Sequence, residues 1–122
     1  MKYKLSIVII AIVLIIGGSI IENIYINKTF DEFENKLSHL MQQEEYDFGE
    51  VKAVSDWWNK KSDYLEIAIS VVLLNEMTVT LGELKGAVQN EDYDSASALL
   101  DRIYCYSVSI KDMYKLEIEN IL

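Results

Sequence analysis

The chain contains one histidine and one cysteine, the residue types that most often ligate zinc and supply reactive thiols or imidazoles. They are His39 and Cys105. The stretch LSHLMQQ gives His39 polar neighbours and predicts a solvated position, whereas IYCYS predicts that Cys105 is a small buried residue. Intermolecular pairing or lipid attachment of Cys105 are the alternatives. Because a zinc site needs several converging ligands, we expect no metal site and no cofactor.

Hydroxyl nucleophiles and phosphate-binding loops have sequence patterns of their own. No serine in the chain lies in a nucleophile motif, and no glycine-rich loop is present to hold a phosphate group. We therefore expect that the protein is not an enzyme.

Acidic residues form two short clusters that resemble cation-binding turns at first sight. They lack the alternating oxygen ligands and the central glycine of a calcium loop. Helix capping and favourable interaction with helix dipoles explain them more simply, with cation binding as the alternative. The clusters are Glu44, Glu45 and Asp47, and Glu91, Asp92 and Asp94.

Two adjacent tryptophans stand in the middle of the chain. On a helix, Trp57 and Trp58 point about 100° apart, so they cannot both face the same core seam. Val51 and Leu65 lie seven residues to either side of Trp58 and are apolar. We therefore predict that Trp58 belongs to the core.

Glu50 and Tyr64 lie seven residues to either side of Trp57, which predicts that this face of the helix is more exposed to solvent. Aromatic side chains are common anchors at protein interfaces. We predict that Trp57, Tyr64 and Phe48, which lies beside a predicted turn, contact a partner. Packing within the domain is the alternative for Trp57 and Phe48.

An uncharged apolar segment occupies residues 5–21, with the sequence LSIVIIAIVLIIGGSII. Its 17 residues would reach about 26 Å as a helix, near the short end of what crosses a bilayer core. A retained membrane anchor is the favoured interpretation. A cleaved signal peptide is the first alternative, since Gly17 and Ser19 form a pair of small residues. A core helix, apolar on every side, is the second.

We predict a membrane anchor at residues 1–26 and an acidic domain at residues 27–122. Lys2 and Lys4 precede the apolar segment, so the positive-inside tendency predicts a cytoplasmic N-terminus and an extracytoplasmic domain. All 20 acidic residues but only 9 of the 11 basic ones lie from Glu22 onward, a net charge of 9 minus 20, or −11. Such a domain repels phosphate backbones, so we expect no nucleic-acid partner.

Apolar residues recur at helical spacing in four stretches, which predicts four helices. Asp47 with Glu50 forms a capping pattern before the second stretch. No helix-breaking residue separates the membrane segment from the first stretch, so one long helix ending near Glu44 is favoured there. A separate helix capped by Thr29 and Glu32 is the alternative. The run LEIAISVVLL is predicted to be the tail of the second helix, with a turn near Asn75. The stretches contain Ile26, Phe30, Phe33, Leu37, Leu40 and Met41; Val51, Val54, Trp58 and Leu65; Met77, Leu81, Leu84 and Val88; and Ala96, Leu100, Ile103, Ile110 and Tyr114.

A short pattern occurs twice, in QQEEYDFGEVKA and in QNEDYDSASALL. In each, an acidic turn precedes a tyrosine, and a small residue follows one helical turn later. Two αα-hairpins with tetratricopeptide-like geometry are therefore predicted to pack as an antiparallel four-helix bundle behind the membrane segment. The predicted packing residues are Tyr46, Gly49, Trp58, Gly82, Gly86, Tyr93 and Ala96.

Several stretches together resemble one protein family. They are ENIYINKTFDEFENKL, the WW pair, ELKGAVQNEDY and the terminal NIL. With the apolar N-terminus, they resemble the bacterial domain of unknown function 4363 family of short single-span proteins. The resemblance implies a membrane anchor and a helical domain, and it implies no activity.

These observations favour a function in binding. The first hypothesis is a protein-interaction or scaffold module at the bacterial cell surface, held in the membrane by residues 5–21. It would bind a protein partner, favoured to be another membrane protein, through a groove between its two hairpins. The alternative is a sensor-like bundle whose core accepts a small apolar ligand.

Overall fold

The computed structural model describes residues 2–121, which form four α-helices. Short connections at residues 42–47, 66–70 and 90–92 make each helix antiparallel to the one before it. Helix α1 spans Lys2–Met41, α2 spans Phe48–Leu65, α3 spans Val71–Gln89 and α4 spans Tyr93–Ile121.

The four helices form a closed ring in cross-section. Each packs against its neighbours in the chain, and α4 closes the ring by packing against α1. Within residues 2–121, α1 does not approach α3 and α2 does not approach α4, so these pairs lie on the diagonals. This is an up-down-up-down four-helix bundle, which confirms the predicted all-α fold class. The tetratricopeptide-like detail of the hairpins stays a prediction.

The core is built from the predicted apolar stripes. Trp58, Phe30 and Phe33 are the largest of its fully buried side chains. Met41, which we predicted to end the first stripe, is instead 38% exposed at the end of α1. The buried apolar residues are Ile26, Phe30, Phe33, Leu37, Leu40, Val51, Val54, Trp58, Leu65, Ile69, Leu74, Met77, Leu81, Leu84, Val88, Ala96, Leu100, Ile103, Ile110 and Tyr114.

Helix α1 joins the apolar segment to the bundle without a break. Its C-terminal half is the first helix of the bundle, as predicted, although α1 ends at Met41 rather than near Glu44. Ile26 is only 2% exposed and belongs to the core, and the Tyr114 hydroxyl donates to Glu22 at 3.2 Å. The bundle therefore begins before residue 27, where we predicted the domain boundary.

The N-terminal part of α1 projects beyond the bundle. Among the described residues, α1 is the one helix long and apolar enough to cross a membrane, and its most apolar window is not buried by the rest of the chain. A signal sequence has the same length and composition. The structure therefore agrees with a membrane span in residues 5–21 at the level of length and polarity.

The connection between α2 and α3 lies earlier than predicted. Helix α2 ends at Leu65, whose carbonyl accepts from the N–H groups of Ala68 and Ile69 at 3.0 and 2.9 Å. Helix α3 already begins at Val71, so the predicted turn near Asn75 is wrong. The reason is that the connection itself contributes an apolar residue to the core. Because Ile69 is buried there, the spacing of apolar residues continues across the connection and does not mark it as a turn.

Helix α3 ends in a Schellman motif. The Asp92 N–H donates to the Ala87 carbonyl at 2.9 Å, and the Glu91 N–H donates to the Val88 carbonyl at 3.1 Å. Glu91 has a φ of 58°, in the left-handed region that costs energy for a residue with a Cβ. This position suits glycine better than glutamate.

Replacing Glu91 with glycine is therefore expected to stabilise the protein by up to about 1 kcal/mol, because glycine relieves a left-handed strain of about 1–2 kcal/mol and loses about 0.5–1 kcal/mol more conformational entropy on folding. Urea unfolding of the full chain in detergent micelles measures the change. Glu91→Ala is the matched control, since it removes the same charge and keeps the strain. A stabilisation of equal size in Glu91→Ala would assign the effect to charge and contradict the backbone argument.

The two turns that share a sequence pattern lie together at the end of the bundle away from the apolar segment. The rings of Tyr46 and Tyr93 meet edge to face with centroids 5.9 Å apart. Partial burial, followed by the negative charges of Glu91 and Glu45, raises the pKa of Tyr93. The predicted packing role of the two tyrosines agrees with this contact.

Of the four small residues predicted to allow close helix packing, one does so. Ala96 is fully buried. A Cβ added to Gly82 or Gly86 would meet no atom within 4 Å, and one on Gly49 would meet only the Asp47 carboxylate at 3.3 Å. The predicted packing role of these three glycines is therefore wrong, because none of them lies against a neighbouring helix.

Candidate interaction groove

An aromatic cluster joins α1 to α2. Phe33 stacks on Trp58 with centroids 4.7 Å apart and on Trp57 with centroids 5.8 Å apart. Phe30 contacts Trp58 from the side at 6.2 Å. Both adjacent tryptophans therefore touch one ring of α1, even though they point in different directions on α2.

Trp58 also connects α2 to α3. Its side chain is fully buried, as predicted, and its indole N–H donates to the Thr78 hydroxyl at 3.1 Å. The Thr78 hydroxyl in turn donates to the Leu74 carbonyl at 3.0 Å. A buried indole N–H is costly without an acceptor, so this chain of hydrogen bonds allows Trp58 to sit in the core.

Trp57 packs mainly against its own chain. It is half-buried, with Phe33 on the ring and the Lys36 ammonium 5.4 Å from the ring centroid. This arrangement agrees with the alternative of packing within the domain. A partner would reach only the part of the ring that remains exposed.

The three predicted interaction residues do not form one patch. Tyr64 is 63% exposed and Phe48 is 37% exposed, but they lie at opposite ends of α2, about 24 Å apart along the helix axis. Trp57 lies nine positions after Phe48, which places the two on opposite sides of the helix. Any single partner surface would therefore include at most Trp57 and Tyr64 of the three.

Whereas the predicted groove lay between the two hairpins, a groove lies between α1 and α2, within the first hairpin. It has a volume of about 450 Å³ and is open to solvent. The buried side chains of Leu40 and Val54 form its floor together with the exposed Ala53. Polar side chains form its rims: Glu32, Asn35, Lys36, His39 and Glu50. In the sequence, the small Ala53 lies on the same face of α2 as the larger Glu50 and Trp57, and this difference in size indicates a depression in that face.

The chain matches no family model, no curated protein and no solved structure.

Two charged pairs hold α4 to α1. The Lys111 ammonium lies 3.2 Å from Glu34 and 3.3 Å from Asp31, and the buried Ser107 hydroxyl donates to Glu34 at 3.5 Å. Burial acts to lower the pKa of Lys111, but hydrogen bonds and charges from Glu34 and Asp31 outweigh it and raise the pKa above 10.5. The protonated Lys111 therefore stabilises the fold at neutral pH through these ion pairs. This stabilisation is lost only as the pH rises through the raised pKa.

The remaining candidates for chemistry are separated from one another. His39 is exposed, as predicted, on the rim of the groove. Cys105 is also exposed, so the prediction that it is buried is wrong; α4 buries Ile103 and Ser107 and turns Cys105 outward. Across the described residues, no three His, Cys, Asp or Glu side chains are grouped so that they could hold a metal ion.

The acidic turns provide helix caps, as predicted. Asp47 accepts from the Glu50 N–H at 3.2 Å, and Asp92 accepts from the Ser95 N–H at 3.2 Å. Hydrogen bonds from the Ser95 side chain and backbone lower the pKa of Asp92 below its usual value of 3.8. Such a carboxylate stabilises the fold above its usual pKa, and this contribution is lost as the pH falls through the lowered value.

Asp92→Asn is therefore expected to lose less stability than the original chain when the pH falls from neutral to about 3, since asparagine also caps helices and does not titrate. The measurement is the urea midpoint of the full chain in detergent at both pH values. Asp94→Asn removes a charge two residues later and leaves the cap in place. An equal loss of acid sensitivity in both variants would contradict a role for the cap.

Proposed function

We propose that the protein is a membrane-anchored interaction module at the bacterial cell surface and acts by binding rather than by catalysis. The resemblance to the domain of unknown function 4363 family supports the anchor and the helical domain. The uninterrupted path of α1 from the apolar segment into the core supports the same arrangement, since it fixes the bundle directly to the segment.

The proposed orientation has the N-terminus in the cytoplasm and the bundle outside. Lys2 and Lys4 before the apolar segment support it through the positive-inside tendency. A phosphatase reporter fused after Leu122 is expected to be active, and a cytoplasmic fluorescent reporter at the same place is expected to be dark. Release of the bundle into the medium would favour the signal-peptide alternative.

The groove between α1 and α2 is the observation that carries the proposal of a protein partner. Its apolar floor and charged rims match what an amphipathic helix or an extended segment requires. It is open along the bundle surface, so a partner can enter it without any rearrangement of the core. Glu32 and Glu50 on the rims favour a partner segment that carries basic residues next to its apolar ones.

The alternative in which the bundle core accepts a small apolar ligand has less support, because the groove lies open on the surface rather than inside the core. The cavity beneath the α2–α3 connection has a volume of about 70 Å³ and is lined by Ile69, Leu73, Ile110 and neighbouring residues. Small-molecule sites are usually about 300–1,000 Å³. This cavity would hold a few atoms at most.

Site-specific photo-crosslinking in living cells tests the groove. Benzoylphenylalanine replaces Ala53 on the groove floor or, as the control, Ala98 on α4; both alanines are exposed. We expect one discrete protein adduct from position 53 and none from position 98. Adducts of equal yield at both positions, or none at either, would refute the proposed groove.

A pair of blocking variants tests the same surface without a crosslinker. Ala53→Arg fills the groove, and Ala98→Arg adds the same side chain elsewhere. The species crosslinked at position 53 should co-purify with the full chain and with Ala98→Arg but not with Ala53→Arg. Both variants should keep the original unfolding midpoint, because exposed substitutions usually change stability by less than about 0.5 kcal/mol.

A further inference from the structure

Exposed apolar side chains collect at the end of the bundle nearest the apolar segment. Ile67 in the α2–α3 connection is 83% exposed, and Val72 at the start of α3 is 67% exposed. Met113 and Leu116 on α4 are 49% and 59% exposed. These side chains form the proximal apolar surface, which the rest of the described chain leaves uncovered.

Contacts between antiparallel helices fix the level of this surface along α1. The Tyr114 hydroxyl bonds to Glu22, and the Lys61 ammonium lies 5.8 Å from the centroid of the Tyr25 ring. Ala68 and Ile69 of the connection line one cavity together with Tyr114. The proximal apolar surface therefore lies beside residues 22–25 of α1.

The uncharged part of α1 ends at the same level. Residues 5–21 carry no charge, and Glu22 is the first acidic residue. A bilayer that holds residues 5–21 would thus present its headgroup region directly to the α2–α3 connection.

The charges of the bundle are arranged to suit that contact. The half nearest the apolar segment, residues 22–31, 57–80 and 110–121, contains 5 basic and 8 acidic residues, a net charge of −3. The distal half, residues 32–56 and 81–109, contains 4 basic and 12 acidic residues, a net charge of −8. Most of the negative charge is therefore kept away from the anionic headgroups, whose repulsion salt screens within about 10 Å.

We propose that the proximal apolar surface rests on the lipid bilayer, with Ile67 inserted at the boundary between headgroups and acyl chains. This inference depends on the proposed membrane anchor. Exposed apolar side chains can lie at the membrane interface, and here they belong to the half of the bundle with the smaller negative charge. The occupant is the lipid itself, because α1 brings the bilayer to this surface and to no other.

Lipid-borne quenchers test the contact in the full chain. In a Cys105→Ser background, Ile67→Cys or Glu45→Cys carries an environment-sensitive nitrobenzoxadiazole label, and the chain is reconstituted into phosphatidylcholine vesicles. Phosphatidylcholine spin-labelled near the acyl carbonyl is then included. We expect blue-shifted emission at position 67 and quenching several-fold stronger than at position 45, which lies in the distal turn.

The possible outcomes separate the inference from the anchor. Flotation with the vesicles and an unquenched, red-shifted label at position 67 would overturn the lipid contact and leave the anchor intact. Blue-shifted emission without lipid quenching would mean that protein covers Ile67, which also overturns it. Failure of the chain to float would refute the anchor and the inference together.

Discussion

Replacing Trp58 with alanine is expected to lower the free energy of unfolding by about 3–5 kcal/mol, the usual cost of removing a large aromatic side chain from a core. Trp58 is fully buried, contacts Phe30 and Phe33, and donates to Thr78. Its loss would leave a cavity where three helices meet. Urea unfolding of the full chain in detergent, followed by fluorescence of the remaining Trp57, measures the change.

Trp57→Ala is the matched control, because it removes the same side chain from the next residue. Trp57 is half-buried and its contacts are the Phe33 ring and the Lys36 ammonium, so a loss of about 1–2 kcal/mol is expected. A greater loss at Trp57 than at Trp58 would reverse the two assignments. It would also remove Trp57 from the residues available to a partner.

Ala96→Leu is expected to destabilise the protein by about 1–3 kcal/mol through overpacking. Ala96 is fully buried in the first turns of α4, so three further carbon atoms must displace neighbouring side chains or backbone. The urea midpoint of the full chain in detergent measures this change. An unchanged midpoint would mean that α4 can move away from its neighbours at no cost.

Gly82→Ala should have the opposite sign. A Cβ at this position meets no atom within 4 Å, and alanine is favoured over glycine inside a helix by up to about 1 kcal/mol. The same urea experiment on this variant distinguishes a glycine required for packing from one that is merely tolerated. Destabilisation by Gly82→Ala would restore the packing role that the structure contradicts.

The helices were predictable because each buries one regular stripe. Phe33, Trp58, Leu84 and Leu100 all lie where a spacing of three and four residues places them. The α2–α3 connection was not predictable in the same way. It contains no proline or glycine, and the buried Ile69 continues the apolar pattern across it. The spacing of apolar residues therefore does not show where α2 ends and α3 begins.

The contacts between helices were only partly predictable. Trp58 followed from its apolar neighbours seven residues away, but the stacking of Trp57 on Phe33 depends on how α1 and α2 cross. The groove at Ala53 likewise exists only because two helices lie side by side with a small residue between them. Sequence spacing within one helix cannot report such a relation. The packing role predicted for Gly49, Gly82 and Gly86 was wrong for a related reason. A glycine on an exposed helix face has the same sequence spacing as one at a close contact between helices.

The continuity of α1 links the rotational angle of the bundle to the number of residues that precede it. A helix turns by about 100° and advances by about 1.5 Å with each residue. One residue inserted near Asn23 would therefore turn the bundle, and with it the groove at Ala53, by about a quarter of a revolution relative to the N-terminal half of α1. Four inserted residues would nearly restore the angle and move the bundle about 6 Å further away. The direction in which the groove faces is thus a property of helical phase, and a change of chain length at this junction would redirect it without altering any residue that lines it.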